Sequence, residues 1–436
     1  MDGPLAREMY DTGQHEPSWW EDTAGLALDR PPLETDIRVG TAVIGGGVTG
    51  LTAARVLAEA GVAAAVLEAG EIGWGSSGRA GGIVGFGGSK LSDAALRRRF
   101  GAAEVAWAET LQAENLRDLR RLAEDAGLGA QIQGTGEAIW AHSRAMARRL
   151  ATEGAPAGGE AIGLPPSGQD DIARHGGVLI RPSFGIHPLR LSRALADLAE
   201  AAGAWVLPRS EVAVWERRGN AHRLVTARGS VTADRVILAT NAFTPDRLHP
   251  RFRARTVPVI SNIAVTRPLV AAERAAHPWL GPEPSGDTRH LLAYFRILPE
   301  GRLLFGMRGD LRGSERGRAR MRTLLRARLD AALPGLREVE ITHFWRGPVC
   351  ATMARRPSIG RLADEPTVFH GFGWHGSGLN MGTLAGRMLA ELILGAPAKS
   401  VPAPWRGLPP PVPVPALRPL YVGAMMGAYA LEDRLG

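Results

Sequence analysis

Thr41-Ala42-Val43-Ile44-Gly45-Gly46-Gly47-Val48-Thr49-Gly50 joins a short apolar, β-branched run to a cluster of glycines. The next residues, through Leu57, keep small or apolar side chains at helical spacing and stop at Gly61. Ala63 to Gly70 (AAAVLEAG) then reads as a second buried strand. Strand, helix and strand together have the length of one βαβ unit. Gly45, Gly47 and Gly50 satisfy G-x-G-x-x-G. The first glycine permits the tight turn, the second a close approach of backbone to a pyrophosphate, and the third close packing of helix on strand. Phosphates would sit at the helix start, against Val48 and Thr49, where unpaired N–H groups point. Glu68, followed by Ala69, closes the second strand and is placed to accept both hydroxyls of a ribose that carries no 2′-phosphate.

The segment after Glu68 distinguishes flavin from nicotinamide. A nicotinamide domain would continue into a further βα repeat, but here Gly73 to Gly82 (GWGSSGRAGG) has five glycines, two serines and one arginine. So little side-chain bulk lets backbone amides of Gly75, Ala80, Gly81 and Gly82 come close to a ligand. Ser76, Ser77 and Arg79 offer hydroxyl and guanidinium contacts to pyrophosphate or ribityl groups. The expectation is FAD.

Composition and length bound the rest. A chain of 436 residues exceeds one ordinary core, so two interleaved domains are expected. The net charge of +8 is almost all arginine, since Lys90 and Lys399 are the only lysines. The arginine pairs and triplets (97–99, 120–121, 148–149, 217–218, 355–356) are scattered, unlike the concentrated basic face of a nucleic-acid binder. One cysteine, Cys350, excludes an intrachain disulfide and a CxxC metal site, and no metal is expected. With neither a signal-peptide pattern nor an apolar run long enough for a membrane span, a cytoplasmic protein is expected. Leu420 to Leu431 reads as a C-terminal helix packed on the body, and Trp19-Trp20 as anchors of an irregular N-terminal arm. Residues 91–128 read as one long or broken helix, and residues 154–170 as a loop. The fold class is α/β: a Rossmann-like FAD-binding domain (36–100, 180–250, 341–400) interleaved with a mixed-sheet, α+β substrate domain (101–179, 251–340). Residues 1–35 form the arm, and 401–436 a C-terminal tail and helix.

SWWEDTA, VIGGGVTGLTAARVLAEAG, LEAGEIGWGSSGRAGG, RVILATNAFTP, RLLFGMRG and GFGWHGSGLNMGTLAGRMLAELILG run in order along nearly the whole chain. In them the sequence resembles the D-amino-acid-oxidase-type flavoproteins, and within these the γ-glutamylputrescine oxidase branch. The resemblance implies FAD-dependent oxidation of a C–N bond in an amine or amino acid, with dioxygen or another acceptor reoxidising the flavin. It implies adenine contacts at Glu211-Val212 and an adenosine-side turn at Thr240-Asn241. It matches Trp345-Arg346-Gly347 to the family's W-x-G, and Gly371 to Asn380 to the turn and helix start beneath the isoalloxazine. Gly373, Gly376, Ser377, Gly378, Leu379 and Asn380 are the cofactor contacts expected there. Its helix N-terminus would stabilise an anionic reduced flavin by about 0.3–1 kcal/mol.

Ala80 and Ile83 replace the family's common asparagine and glutamine, and Trp374 replaces a small residue before His375. These replacements imply a substrate other than γ-glutamylputrescine. Relatives with covalent flavin carry a histidine in the Gly/Ser loop or a cysteine before the closing segment. The loop here lacks histidine and Cys350 falls off the cysteine position, so the FAD is expected to be non-covalent. Candidate residues at the reacting centre are His375, Trp374, Tyr294 and Lys90, the last as a cation assisting dioxygen. Two other readings stay open: a D-amino-acid or sarcosine-type dehydrogenase passing electrons to a carrier, and a flavin-binding subunit without catalysis. The oligomeric state is not readable from the sequence.

Overall fold

The computed structural model describes residues 5–13 and 16–435. Two eight-stranded sheets organise it. The first is built on five parallel strands in the order Val368–Phe372, Ser230–Leu238, Ile37–Ile44, Ala64–Leu67, Trp205–Leu207. All four residues of Ala64–Leu67 are buried, as a parallel strand covered on both faces requires. Alternation sorts its neighbours: Val43, Val66 and Ile237 face one apolar cluster, and Ile44, Leu67 and Leu238 the other.

Helices Val48–Glu59, Pro188–Ala201 and Gly378–Ile393 contribute to the first of those clusters. The closing helix carries glycines at 378, 382 and 386, one per turn on one face. A β-carbon on Gly386 would lie 2.4 Å from the Thr49 carbonyl oxygen, and one on Gly382 2.8 Å from a Val48 methyl. Glycine inside a helix costs roughly 0.5–1 kcal/mol each. Here it lets two helices touch backbone to backbone, with both of their N-termini on the same cavity.

The second sheet is mixed and mostly antiparallel: Ile341–Ala351, Val257–Pro268, Arg302–Arg308, Ala293–Ile297, Ser285–Asp287, Glu137–Trp140, Gly177–Arg181, Glu160–Leu164. The helix Glu315–Ala332 buries Met321, Leu325 and Leu329 in the apolar cluster that Phe295 and Phe305 of this sheet also fill. Two details differ from the sequence reading. The Gly/Pro-rich stretch expected as a loop contains the edge strand Glu160–Leu164, held by its ladder to Gly177–Arg181. Ile341–Ala351, placed with the cofactor domain from sequence, is hydrogen-bonded along Val257–Pro268 in the second sheet; its run of buried residues from Phe344 to Pro348 has no alternation that would assign a sheet. Residues 91–128 form a helix broken at Gly101, whose φ is +91°.

The N-terminal tryptophans dock as expected. Trp20 is buried and donates its indole N–H to the Ala80 carbonyl (2.8 Å), so the arm pins the Gly/Ser segment. The C-terminal helix Arg418–Leu435 packs Val422 against Val257 and Val259.

Candidate functional site

One cavity of about 420 Å³ runs along the junction of the two sheets. The βαβ turn forms one end. Gly45 has φ +108°, and a β-carbon there would lie 2.9 Å from the Ala239 carbonyl. Gly46 and Gly47 line the cavity, and β-carbons on them would press on Glu68 and Ser77. Gly50 faces away from it, with a β-carbon position only 2.0 Å from the Gly45 carbonyl oxygen. The helix starting at Val48 has no side-chain cap from Gly47. Its first N–H bonds the Ser77 hydroxyl (3.2 Å), joining the Gly/Ser segment to the phosphate-type turn. Glu68 accepts from the Gly46 (2.7 Å) and Gly70 (3.0 Å) amides. Burial raises its carboxyl pKa while those amides oppose the rise. The donors and the glycine cradle suit a dinucleotide.

The Gly/Ser segment contains one helical turn, Ser76–Arg79. Ser76 donates to the Pro348 carbonyl (2.5 Å). Arg79 stacks over Trp74 at 4.6 Å, and burial lowers its pKa. Gly75, Ala80 and Gly81 line the cavity. Ala69, Val212, Thr240 and Asn241 border it too. Asn241, itself at φ +47°, accepts from the Gly373 amide (3.0 Å) and so ties the adenosine-side turn to the closing turn. Gly347, Gly376, Ser377, Gly378 and Leu379 complete that wall, with the closing helix start uncapped by any side chain.

The polar end is built from the second sheet and the segment after Gly82. Tyr294 lies flat against two glycines, since β-carbons on Gly306 and Gly81 would meet its ring at 2.1 and 2.8 Å. Its hydroxyl shares a hydrogen bond with Ser261 (2.8 Å), and burial pushes its pKa up to about 12. Arg308 donates to the His375 carbonyl (2.8 Å) and has no carboxylate partner among the described residues. Lys90 lines the same end. The charge of Arg308, then burial, then Arg355 bring its ammonium down to about 7. His375 is buried at φ +51°, beside Thr352 (3.4 Å). Burial, then Lys90 and Arg308, hold it down to about 3, so it is neutral at ordinary pH.

Five expected contact residues do their work behind the wall. Gly50 and Gly82 give close backbone approach, Gly82 toward the Ile186 carbonyl. Trp345 is fully buried and donates to the Arg79 carbonyl (2.9 Å). Gly373 is held by Asn241, and Asn380 donates to the Gly85 carbonyl (3.1 Å). Trp374 lines the cavity and is at the same time buried in the core with Leu379, Leu384 and Leu389. Ile83 lines the cavity. Arg308, Ser261 and Glu137 were not singled out from sequence. The available signal was strand alternation: Arg308 and Gly306 share parity, and Gly306 is the direct partner of Tyr294.

A Rossmann-type unit, a Gly/Ser turn tied to it and an uncapped closing helix on one cavity define a flavin-binding oxidoreductase. The chain belongs to the FAD dependent oxidoreductase (DAO) family, whose model matches residues 41–392, and its cofactor is FAD. It is 30% identical to gamma-glutamylputrescine oxidoreductase of Escherichia coli across 97% of this chain and 99% of that protein. It is 26% identical to glycine oxidase of Bacillus licheniformis across 83% of this chain and 95% of that one. In fold it resembles glycine oxidase of Geobacillus kaustophilus (TM-score 0.64, 23% identity, 82% of this chain and 95% of that one). L-proline dehydrogenase from P. horikoshii is as similar (TM-score 0.64, 21% identity, 85% and 96%). Among the described residues no helix is long and apolar enough to cross a membrane, and no group of acidic, histidine or cysteine side chains is placed to hold a metal.

Proposed function

We propose that the protein oxidises a C–N bond of an amine or amino acid whose carboxylate binds Arg308. The observation that carries this is a guanidinium with no carboxylate partner among the described residues, on the strand of the second sheet that lines the same cavity as the dinucleotide turn. Its fork of donors matches a carboxylate. FAD, when bound, would supply the redox chemistry, the removal of a hydride equivalent from the carbon bearing nitrogen with dioxygen or another acceptor taking the electrons; the imine so formed would be hydrolysed by water.

The chain's own residues bind and orient. Gly46, Gly47, Ser76, Ser77 and Arg79, which line the cavity, would hold the pyrophosphate and ribityl portion, and Glu68 the ribose. The uncapped N–H groups at Gly378 and Leu379 favour negative charge at that wall. Tyr294, kept neutral, offers a hydroxyl whose partner Ser261 fixes its direction. Neutral His375 supports Arg308 through its carbonyl. Lys90 holds or releases a proton at Nζ near neutral pH and places a cation beside the anion site. The Gly/Ser turn offers no histidine, and burial pushes the Cys350 thiol up to about 12, which leaves it protonated and unreactive; FAD is held non-covalently.

The test is anaerobic addition of amines, N-methyl amino acids, D-amino acids and γ-glutamyl amines to the purified yellow protein. Bleaching by a carboxylate-bearing amine, reversed by air or by an artificial acceptor, is the expected result. Which of the two restores colour distinguishes oxidase from dehydrogenase. Absence of bleaching throughout the panel refutes the proposal.

A further inference from the structure

Glu137 faces the same cavity and has no part in the oxidation chemistry. It opens the strand Glu137–Trp140 of the second sheet, whose alternate residues Ala138 and Trp140 are buried while Glu137 and Ile139 point into the cavity. Its carboxyl oxygen lies against the backbone of Gly85: a β-carbon there would stand 2.1 Å from Oε2. Any other residue at 85 would fill the carboxylate's place. Among the described residues no group donates a hydrogen bond to this carboxylate and no cation pairs with it. Burial alone lifts its pKa, to about 7, with no charged neighbour contributing. An unpaired carboxyl inside a protein is costly unless a ligand completes it.

The positive end is elsewhere. Between Arg308 and Glu137 the sheet interposes Ala293–Ile297 and Ser285–Asp287, which makes three strand spacings, or about 14 Å across the sheet. Register adds a displacement along the strands. Gly306 is level with Tyr294, Tyr294 with Gly286, and Gly286 with Ile139. Arg308 and Glu137 therefore lie on opposite sides of that row. Both side chains point into the cavity, so the two charges face one space without neutralising each other.

Resting on the carboxylate reading of Arg308, we propose that Glu137 is a specificity-determining residue that binds a second, cationic nitrogen of the substrate. The substrate class is then an elongated molecule with a carboxylate at one end and an ammonium group remote from it. Its carboxylate completes Arg308 and its remote nitrogen completes Glu137, each an oppositely charged, hydrogen-bonded contact.

Pairs of equal length that differ only in the terminal group test this on the holoenzyme: lysine against norleucine and ornithine against norvaline, in both enantiomers. Binding is read from the perturbation of the flavin spectrum under anaerobic conditions, and turnover from kcat and KM in air or with an artificial acceptor. The wild-type protein is expected to bind the terminal-ammonium member roughly ten-fold or more tightly, the scale of a charged hydrogen bond. Glu137→Gln, which keeps the side-chain volume, is expected to bring that ratio to near one, through KM where turnover is seen. Glu137→Met serves the same comparison if the amide disturbs the strand. Because the ratio is taken within each variant, general damage to the fold cancels. A wild-type ratio near one, or a ratio that survives in both variants, overturns the proposal. Binding without bleaching by any member would still decide the role of Glu137 through the ratio, while the oxidation itself stands or falls on the wider panel of amines.

Discussion

Gly50→Ala puts the reading of the glycine motif to a quantitative test. The new β-carbon would stand 2.0 Å from the Gly45 carbonyl oxygen and 3.0 Å from a Val43 methyl. Carbon and oxygen at such sites do not approach much below about 3 Å, so helix and turn must part by roughly 1 Å. Neither can yield cheaply. The turn is held by the Gly45 amide on the Leu67 carbonyl (2.9 Å) and by its φ of +108°. The helix is backed by the closing helix at Gly386, where Thr49 already touches backbone. Overpacking of this kind costs about 1–3 kcal/mol, and the confinement on both sides puts the expectation at the upper end. The shift also pulls the Val48 N–H off the Ser77 hydroxyl and moves the Thr49 N–H away from where a pyrophosphate would sit. Losing one charged hydrogen bond of roughly 1.5–3 kcal/mol weakens FAD binding about 10- to 150-fold. Titration of apoprotein with FAD, followed by quenching of flavin fluorescence, reads the affinity, and thermal melting of the apoprotein reads the packing cost. Gly61→Ala is the control: its φ of +79° disfavours alanine, but nothing lies within 4 Å, so stability falls while FAD affinity holds. A Gly50→Ala protein that binds FAD within two-fold of wild type refutes the reasoning.

Arg308→Met is expected to raise KM for a carboxylate-bearing substrate by about two orders of magnitude, with far less effect on a substrate lacking the carboxylate; equal losses for both would show general damage instead. A simple carboxylate ligand should bind more weakly as pH rises through about 7, because Lys90 loses its proton there and leaves Arg308 as the remaining cation. The bound anion shifts this fall to higher pH, and Lys90→Met should reduce it to the smaller part set by Glu137, which gains its charge over the same range, as a pH series of flavin-perturbation titrations would show. Trp20→Phe removes the indole donor from the Ala80 carbonyl and should lower stability by about 1–3 kcal/mol. Its distinguishing sign is a parallel loss of FAD affinity, since that carbonyl belongs to the Gly/Ser segment; a melt that moves with affinity unchanged would mean that the arm does not position the segment.

The cofactor half was readable from sequence because its requirements are local. A dinucleotide turn needs particular backbone angles within six residues, and only glycine meets them at Gly45. Glu68 followed from a fixed spacing along one βαβ unit. The same local logic explains the docking of Trp20, a large apolar side chain that burial favours, as it does Met9, Tyr10 and Leu33 of the same arm. The packing role of Gly382 and Gly386 was not read from sequence, because their partner Thr49 lies on a helix more than 300 positions away.

The substrate half was opaque because its parts meet only across the sheet. Arg308 and Glu137 are separated by 171 positions and by two intervening strands, and nothing near either residue distinguishes it from an ordinary strand arginine or glutamate. What sets them apart is negative: each is a charge turned inward with no counter-ion among the described residues. Sequence shows which side chains are charged, but a missing partner is a property of three-dimensional surroundings. The case of Trp374 runs the other way. Its position next to His375 in the chain suggested a shared role at the flavin. The two residues lie in the turn between the last strand and the closing helix, and the left-handed φ of +51° at His375 reverses the chain there, so neighbours in sequence face different environments. His375 turns its backbone carbonyl to Arg308, and Trp374 turns its ring into the core. Chemistry in this protein therefore follows from which residues reach the cavity, and the proposed substrate is the molecule whose opposite charges would complete Arg308 and Glu137 there.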